Sequence, residues 1–115
     1  MNTPLILLTL FAAAILEAGG DALVRKGLHA TSAASRSGLF LIGALVLFAY
    51  GYVVNAPSWD FGRLLGVYVV FFFVAAQLIA LLTFGTTPNK TVLIGGFFIV
   101  LGGAILSFGN AVKDL

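Results

Sequence analysis

Cysteine is absent and histidine occurs once, at His29, so the chain can hold neither a disulfide framework nor a thiolate or paired-imidazole metal site. Charge is scarce too. Lys and Arg number six, Asp and Glu four, together 9% of the 115 residues, against about a quarter in an ordinary soluble domain. The net charge of +2 is too small, and its carriers too scattered, to form a nucleic-acid footprint. No nucleophile, histidine and acid fall in one place, so an enzyme is not expected, and nothing in the pattern calls for a cofactor or a metal. Proline is limited to Pro4, Pro57 and Pro88.

What fills the chain is apolar, 61% of it. The apolar residues divide into four runs of roughly 17 to 21 residues, each able to cross a ~30 Å hydrocarbon core as a helix. The expected fold is an all-α integral membrane protein, residues 1–115 forming one domain with spans near 4–24, 38–54, 64–84 and 91–109. The uncharged start Met1-Asn2-Thr3 and the length of the first run do not suit a cleaved signal peptide, so that span is expected to be retained.

Thr3 is placed as the first N-cap with Pro4 at the first helical position, where its missing N–H costs nothing. Arg25 and Lys26 are expected to stop the first span. The longest connection follows, Gly27 to Ser37. Tyr50 and Tyr52, at the end of the second span, and Trp59, in the Asn55 to Arg63 turn, are expected at the membrane interface. Arg25, Lys26, Arg36 and Lys90 fall on the side of the first and third loops, Arg63 and Lys113 on the other. The positive-inside rule then favours both termini outside the cytoplasm, by four against two, which leaves insertion in both orientations open.

The fourth run carries Gly95, Gly102 and Gly109 at intervals of seven, with Gly96 and Gly103 beside them. Seven residues are about two helical turns, so each set lies along one face. In lipid, helices associate by close packing, which a strip without side chains permits. The strip serves either packing within the chain or a dimer interface.

The most informative charge is Glu17. Glu17, Asp21 and Arg25 are spaced by four and share one helix face. Arg25 can snorkel to the headgroups and pair with Asp21, whereas Glu17 sits roughly 10 Å deeper. An acid near the bilayer centre costs about 2.5 to 3.5 kcal/mol even on the mildest insertion scales, so such groups face a bundle interior or a wet cavity. Desolvation and the neighbouring Asp21 both disfavour the ionised form of Glu17, a property suited to proton exchange. A carboxyl that holds either a proton or a cation, but not both, couples the two by competition. The plainer role is a neutral packing residue hydrogen-bonded to Gln77 or a tyrosine. Tyr68, with Phe71 and Phe72 one turn later, is the expected wall opposite Glu17, since a cation can rest on an aromatic face.

Glu17, Gly20, Leu23 and Arg25, then Tyr68, the Gly85 turn and the Gly95/Gly102 pair, together resemble the small multidrug resistance family of the drug/metabolite transporter superfamily. The resemblance covers nearly the whole chain. It implies a bacterial inner-membrane antiporter that exports a small organic cation or metabolite. Glu17 would be the shared proton and substrate site, Tyr68 a binding aromatic, and the fourth span a homodimer contact, usually antiparallel; Asp21, unusual for the family, and Phe71 are candidates for the same site from the residues alone. The family's exporters carry Tyr-x-x-Trp where this chain has Tyr68-Val-Val-Phe71, a departure that argues against quaternary ammonium ligands. Two other functions fit the span count: a lipid-carrier flippase subunit, which would need basic residues in its cavity, and a non-transporting scaffold whose Glu17 pairs with a partner's basic residue.

Overall fold

A computed structural model of the chain describes residues 1–109; Lys113, counted above in the charge bias, lies outside them. The described residues form four helices, α1 (Thr3–Leu28), α2 (Ala33–Val54), α3 (Phe61–Phe84) and α4 (Lys90–Phe108). Each is long and apolar enough to cross a membrane. Large side chains such as Leu45, Phe48, Leu82, Phe97 and Ile105 point outward and are exposed. A set of helices that is apolar on its outer surface suits lipid rather than water.

The helix ends differ from the sequence expectation for local chemical reasons. Asn2, not Thr3, is the first N-cap, its side chain accepting from the Leu5 N–H at 3.0 Å. Arg25 and Lys26 do not stop α1 but occupy its last turn, where cations oppose the negative end of the helix dipole. The expected loop from Gly27 to Ser37 shrinks, because Ser32 caps α2 by accepting from the Ser35 N–H at 3.1 Å and the small polar residues after it make the first turns. Asn89 caps α4 in the same way. Gly85 ends α3 with φ of 67°, the left-handed conformation in which a Cβ is strained, and its N–H and that of Thr86 close back on Leu81 and Ala80.

α1 packs against both α2 and α3, and α4 packs chiefly on α3. The central position of α1 explains why its Leu10, Ala13 and Ala14 are fully buried, and Leu64, Val67 and Ala75 of α3 complete the same core. The molecule is a slab measuring 56 × 34 × 19 Å, about two helix diameters thick. At the far end of α3 from Gly85, the half-buried Arg63 lies 4.0 Å above the Trp59 ring and donates to the carbonyls of Leu106 and Ser107, each at 3.3 Å. Trp59 thus holds a cation against the last turn of α4 while packing on the core.

The two glycine rows of α4 have different surroundings. Gly96 and Gly103 are buried, and a Cβ on them would run into Phe73 and Val70 of α3. These two, grouped above with the dimer-packing residues, are taken up by packing inside the chain. Gly95, Gly102 and Gly109 have nothing within 4 Å of the position a Cβ would occupy.

Candidate functional site

Glu17 lies near the middle of α1, half-buried on the side of α3. One turn before it, Ala13 and Ala14 are fully buried; their methyl groups let α3 come close. From α3, Tyr68 reaches into this contact. The residue is only 4% exposed, and its hydroxyl donates to Glu17 Oε1 at 2.8 Å. Among the described residues this is the sole protein hydrogen bond to the carboxyl, so Oε2 has no protein donor.

The Tyr68 ring is held from two sides. Tyr50 of α2 lies 5.6 Å away between centroids and Phe72, one turn further along α3, lies 6.2 Å away, both rings tilted by 32°. Such tilted pairs avoid direct overlap of the negative ring faces and fix the ring plane, hence the direction of the hydroxyl. Of the two phenylalanines expected beside Tyr68, Phe72, spaced by four from it, is the one that packs on its ring. Phe71 is half-buried against the core and does not line the cavity described next. Tyr50, expected at the interface, instead turns inward, while Tyr52 stays exposed at 76%.

A cavity of about 460 Å³ lies between α1 and α3 on the C-terminal side of this pair, from Ala18 and Phe72 to Arg25 and Thr86. Ala18 and Ala22 face Ala76 and Ala80 across it, and four methyl groups leave open the space that larger side chains would fill. Phe72 forms the inner end, Ile79 and Phe84 the apolar wall, and Thr86 the rim. Asp21 and Arg25 line the same space. The expected Asp21–Arg25 ion pair is not formed: the guanidinium instead lies over Phe84, 5.9 Å from the ring centroid, reaching across to α3. Gln77 is half-buried and is not the partner of Glu17; a tyrosine is.

Of the residues chosen from the sequence, the structure joins Glu17 to Tyr68 by a hydrogen bond and places Asp21, one turn further along α1, in the cavity lining; Glu17, Tyr68 and Phe71 are not among the lining residues. Tyr50 is the addition, and of the two phenylalanines expected after Tyr68 only Phe72 packs on its ring and lines the cavity. Phe72 could be read from its spacing to Tyr68; for Tyr50 the sequence shows only that it and Tyr52 point to different faces. Among the described residues no three His, Cys, Asp or Glu side chains gather where a metal ion could sit. No family model, curated protein or solved structure matches the chain.

Proposed function

We propose that the chain is a multi-pass protein of the bacterial inner membrane, related to the small multidrug resistance transporters, that exchanges protons for a small organic cation or metabolite as a homodimer. The observation that carries this reading is the Tyr68 hydroxyl on Glu17 Oε1, midway along an apolar helix and beside a cavity. With Oε1 held, Oε2 is the atom on which a proton and a cationic nitrogen compete. Protonated Glu17 is neutral and offers a cation nothing; deprotonated Glu17 attracts one into a site walled by Tyr68 and Phe72. Cation–π contact adds about 0.5 to 2 kcal/mol there.

The thinness of the slab supports a second copy, because two helix diameters do not surround Glu17 on every side. The open row Gly95, Gly102 and Gly109 is the surface proposed to meet it, in a symmetric pair. An anionic lipid carrier is less suited, since Asp21 lines the cavity, Glu17 lies one turn before it on α1, and Arg25 alone supplies positive charge there.

Proton release from purified protein in weakly buffered detergent tests the reading. Addition of an alkylamine is expected to release one proton per site from wild type and none from Glu17→Gln. Binding of the amine without proton release, or equal release from both proteins, would sink it.

A further inference from the structure

The cavity contains more chemistry than a site for a simple cation requires. One positive and one negative side chain, Arg25 and Asp21, line it together without pairing, and Arg25 is spread over Phe84 on the opposite wall. On one helix, residues four apart have Cβ atoms about 5 to 6 Å from each other and ordinarily can bridge. Here Arg25 lies over Phe84 instead, and the rest of the lining of this space of about 460 Å³ is methyl groups, Ile79, two phenylalanine rings and one threonine.

From this arrangement we infer that the substrate class is a small amphipathic zwitterion, its ammonium group toward Asp21 and Glu17 and its carboxylate or phosphate toward Arg25. The inference rests on the exchange reading above and specifies its ligand. The geometry gives each part of such a ligand one counterpart. Its ammonium displaces the proton of Glu17 at the inner end. Its anion meets the guanidinium fork, whose planar donors match two oxygens at once. Its apolar body lies along Ile79, Phe72 and Phe84, with no other charge to desolvate among the lining residues. A ligand with an ammonium alone leaves Arg25 unanswered at the cavity; a ligand with an anion alone faces Asp21 in the lining and Glu17 one turn before it on α1.

Two sources share this chemistry, a free amino acid with an apolar side chain and the headgroup of an ethanolamine phospholipid, and matched probes tell them apart. Leucine and isoamylamine have the same apolar body and ammonium and differ only by the carboxylate. Phosphatidylethanolamine with two six-carbon chains presents the lipid headgroup in soluble form. Binding to the purified full chain would be measured for all three by calorimetry, with proton release recorded alongside.

The expected result is that leucine or the short-chain lipid binds wild type about tenfold more tightly than isoamylamine, and that Arg25→Gln removes most of that preference. Leucine ahead assigns a soluble amino-acid-type substrate; the lipid ahead assigns a headgroup. The wild-type ratio needs no variant, so a poorly folding Arg25→Gln does not block the test, and Arg25→Lys, which keeps the charge without the fork, is expected to lie between. If isoamylamine equals or exceeds both zwitterions and still releases a proton through Glu17, the zwitterion inference is overturned and proton exchange stands. If none of the three releases a proton from wild type, exchange at Glu17 is overturned with it.

Discussion

Tyr68 donates its hydroxyl to Glu17 across 2.8 Å, and this bond ties α3 to α1 at the one carboxylate that lies near the middle of an apolar helix. Tyr68→Phe deletes the donor while keeping the ring between Tyr50 and Phe72. A hydrogen bond to a half-buried acid contributes about 1 to 2 kcal/mol, so the variant is expected to lose that much in unfolding measured in mixed detergent micelles. Glu17→Ala combined with Tyr68→Phe should cost less than the sum of the two single changes, since both remove the same contact. Strict additivity would show that the two side chains do not interact in solution.

Competition at Glu17 has a defined pH signature. Where the ligand must displace one proton, its apparent affinity rises about tenfold per pH unit and levels off once the carboxyl is already ionised. The sign follows from the exchange: protons favour the unliganded form, so lowering the pH weakens binding. Titrations of isoamylamine and leucine at several pH values should follow this curve in wild type and be flat, or absent, in Glu17→Gln. A flat wild-type curve with retained binding would place the ligand away from this carboxyl.

The two glycine rows of α4 predict opposite outcomes for neighbouring substitutions. Gly103→Leu places its side chain against Val70 and should destabilise the α3–α4 contact by about 1 to 3 kcal/mol. Gly102→Leu meets nothing in its own chain and should alter monomer stability by no more than about 0.5 kcal/mol while abolishing the proposed dimer, with cross-linking or sedimentation in detergent as the readout. Normal dimerisation of Gly102→Leu would remove this face from the proposed interface.

Much of the fold was legible because lipid-suited helices announce themselves by length and composition. The boundaries were less so. Polarity was read as loop, yet Arg25 and Lys26 suit the negative end of α1 and the Ser/Ala stretch after Ser32 suits a capped first turn, so both helices extend into what looked like a connection. Glu17 and Tyr68 could each be singled out from the sequence, one by its cost in lipid and one by its aromatic face. Their contact could not, because the register between α1 and α3 depends on packing between distant segments. The same gap explains Phe71 and Phe72: residues three and four after Tyr68 are both near its face, and packing of α3 on the core decided for Phe72. Which glycine row of α4 turns inward likewise depended on Phe73 and Val70, residues of another helix.

The contact of Arg63 gives a prediction separable from transport. Its guanidinium sits over Trp59 and meets the carbonyls of Leu106 and Ser107, at the opposite end of α3 from the cavity rim at Thr86. Those carbonyls lie in the last turn of α4, where helical partners run out and a cation is favoured by the dipole. Hydrogen bonds of 3.3 Å at a half-buried position, together with a cation–π contact, should contribute about 1 to 2 kcal/mol. Arg63→Ala is expected to lower unfolding stability by that amount, and Arg63→Lys by less, since the ammonium keeps the charge and the stacking but cannot reach two carbonyls with a planar fork. Because Arg63 touches neither Glu17 nor the cavity, ligand affinity of the folded fraction and its pH curve should be unchanged. A tenfold or larger change in ligand affinity of the folded fraction would mean that the two ends of α3 are coupled, and that Arg63 and Trp59 act on the site rather than on the fold alone.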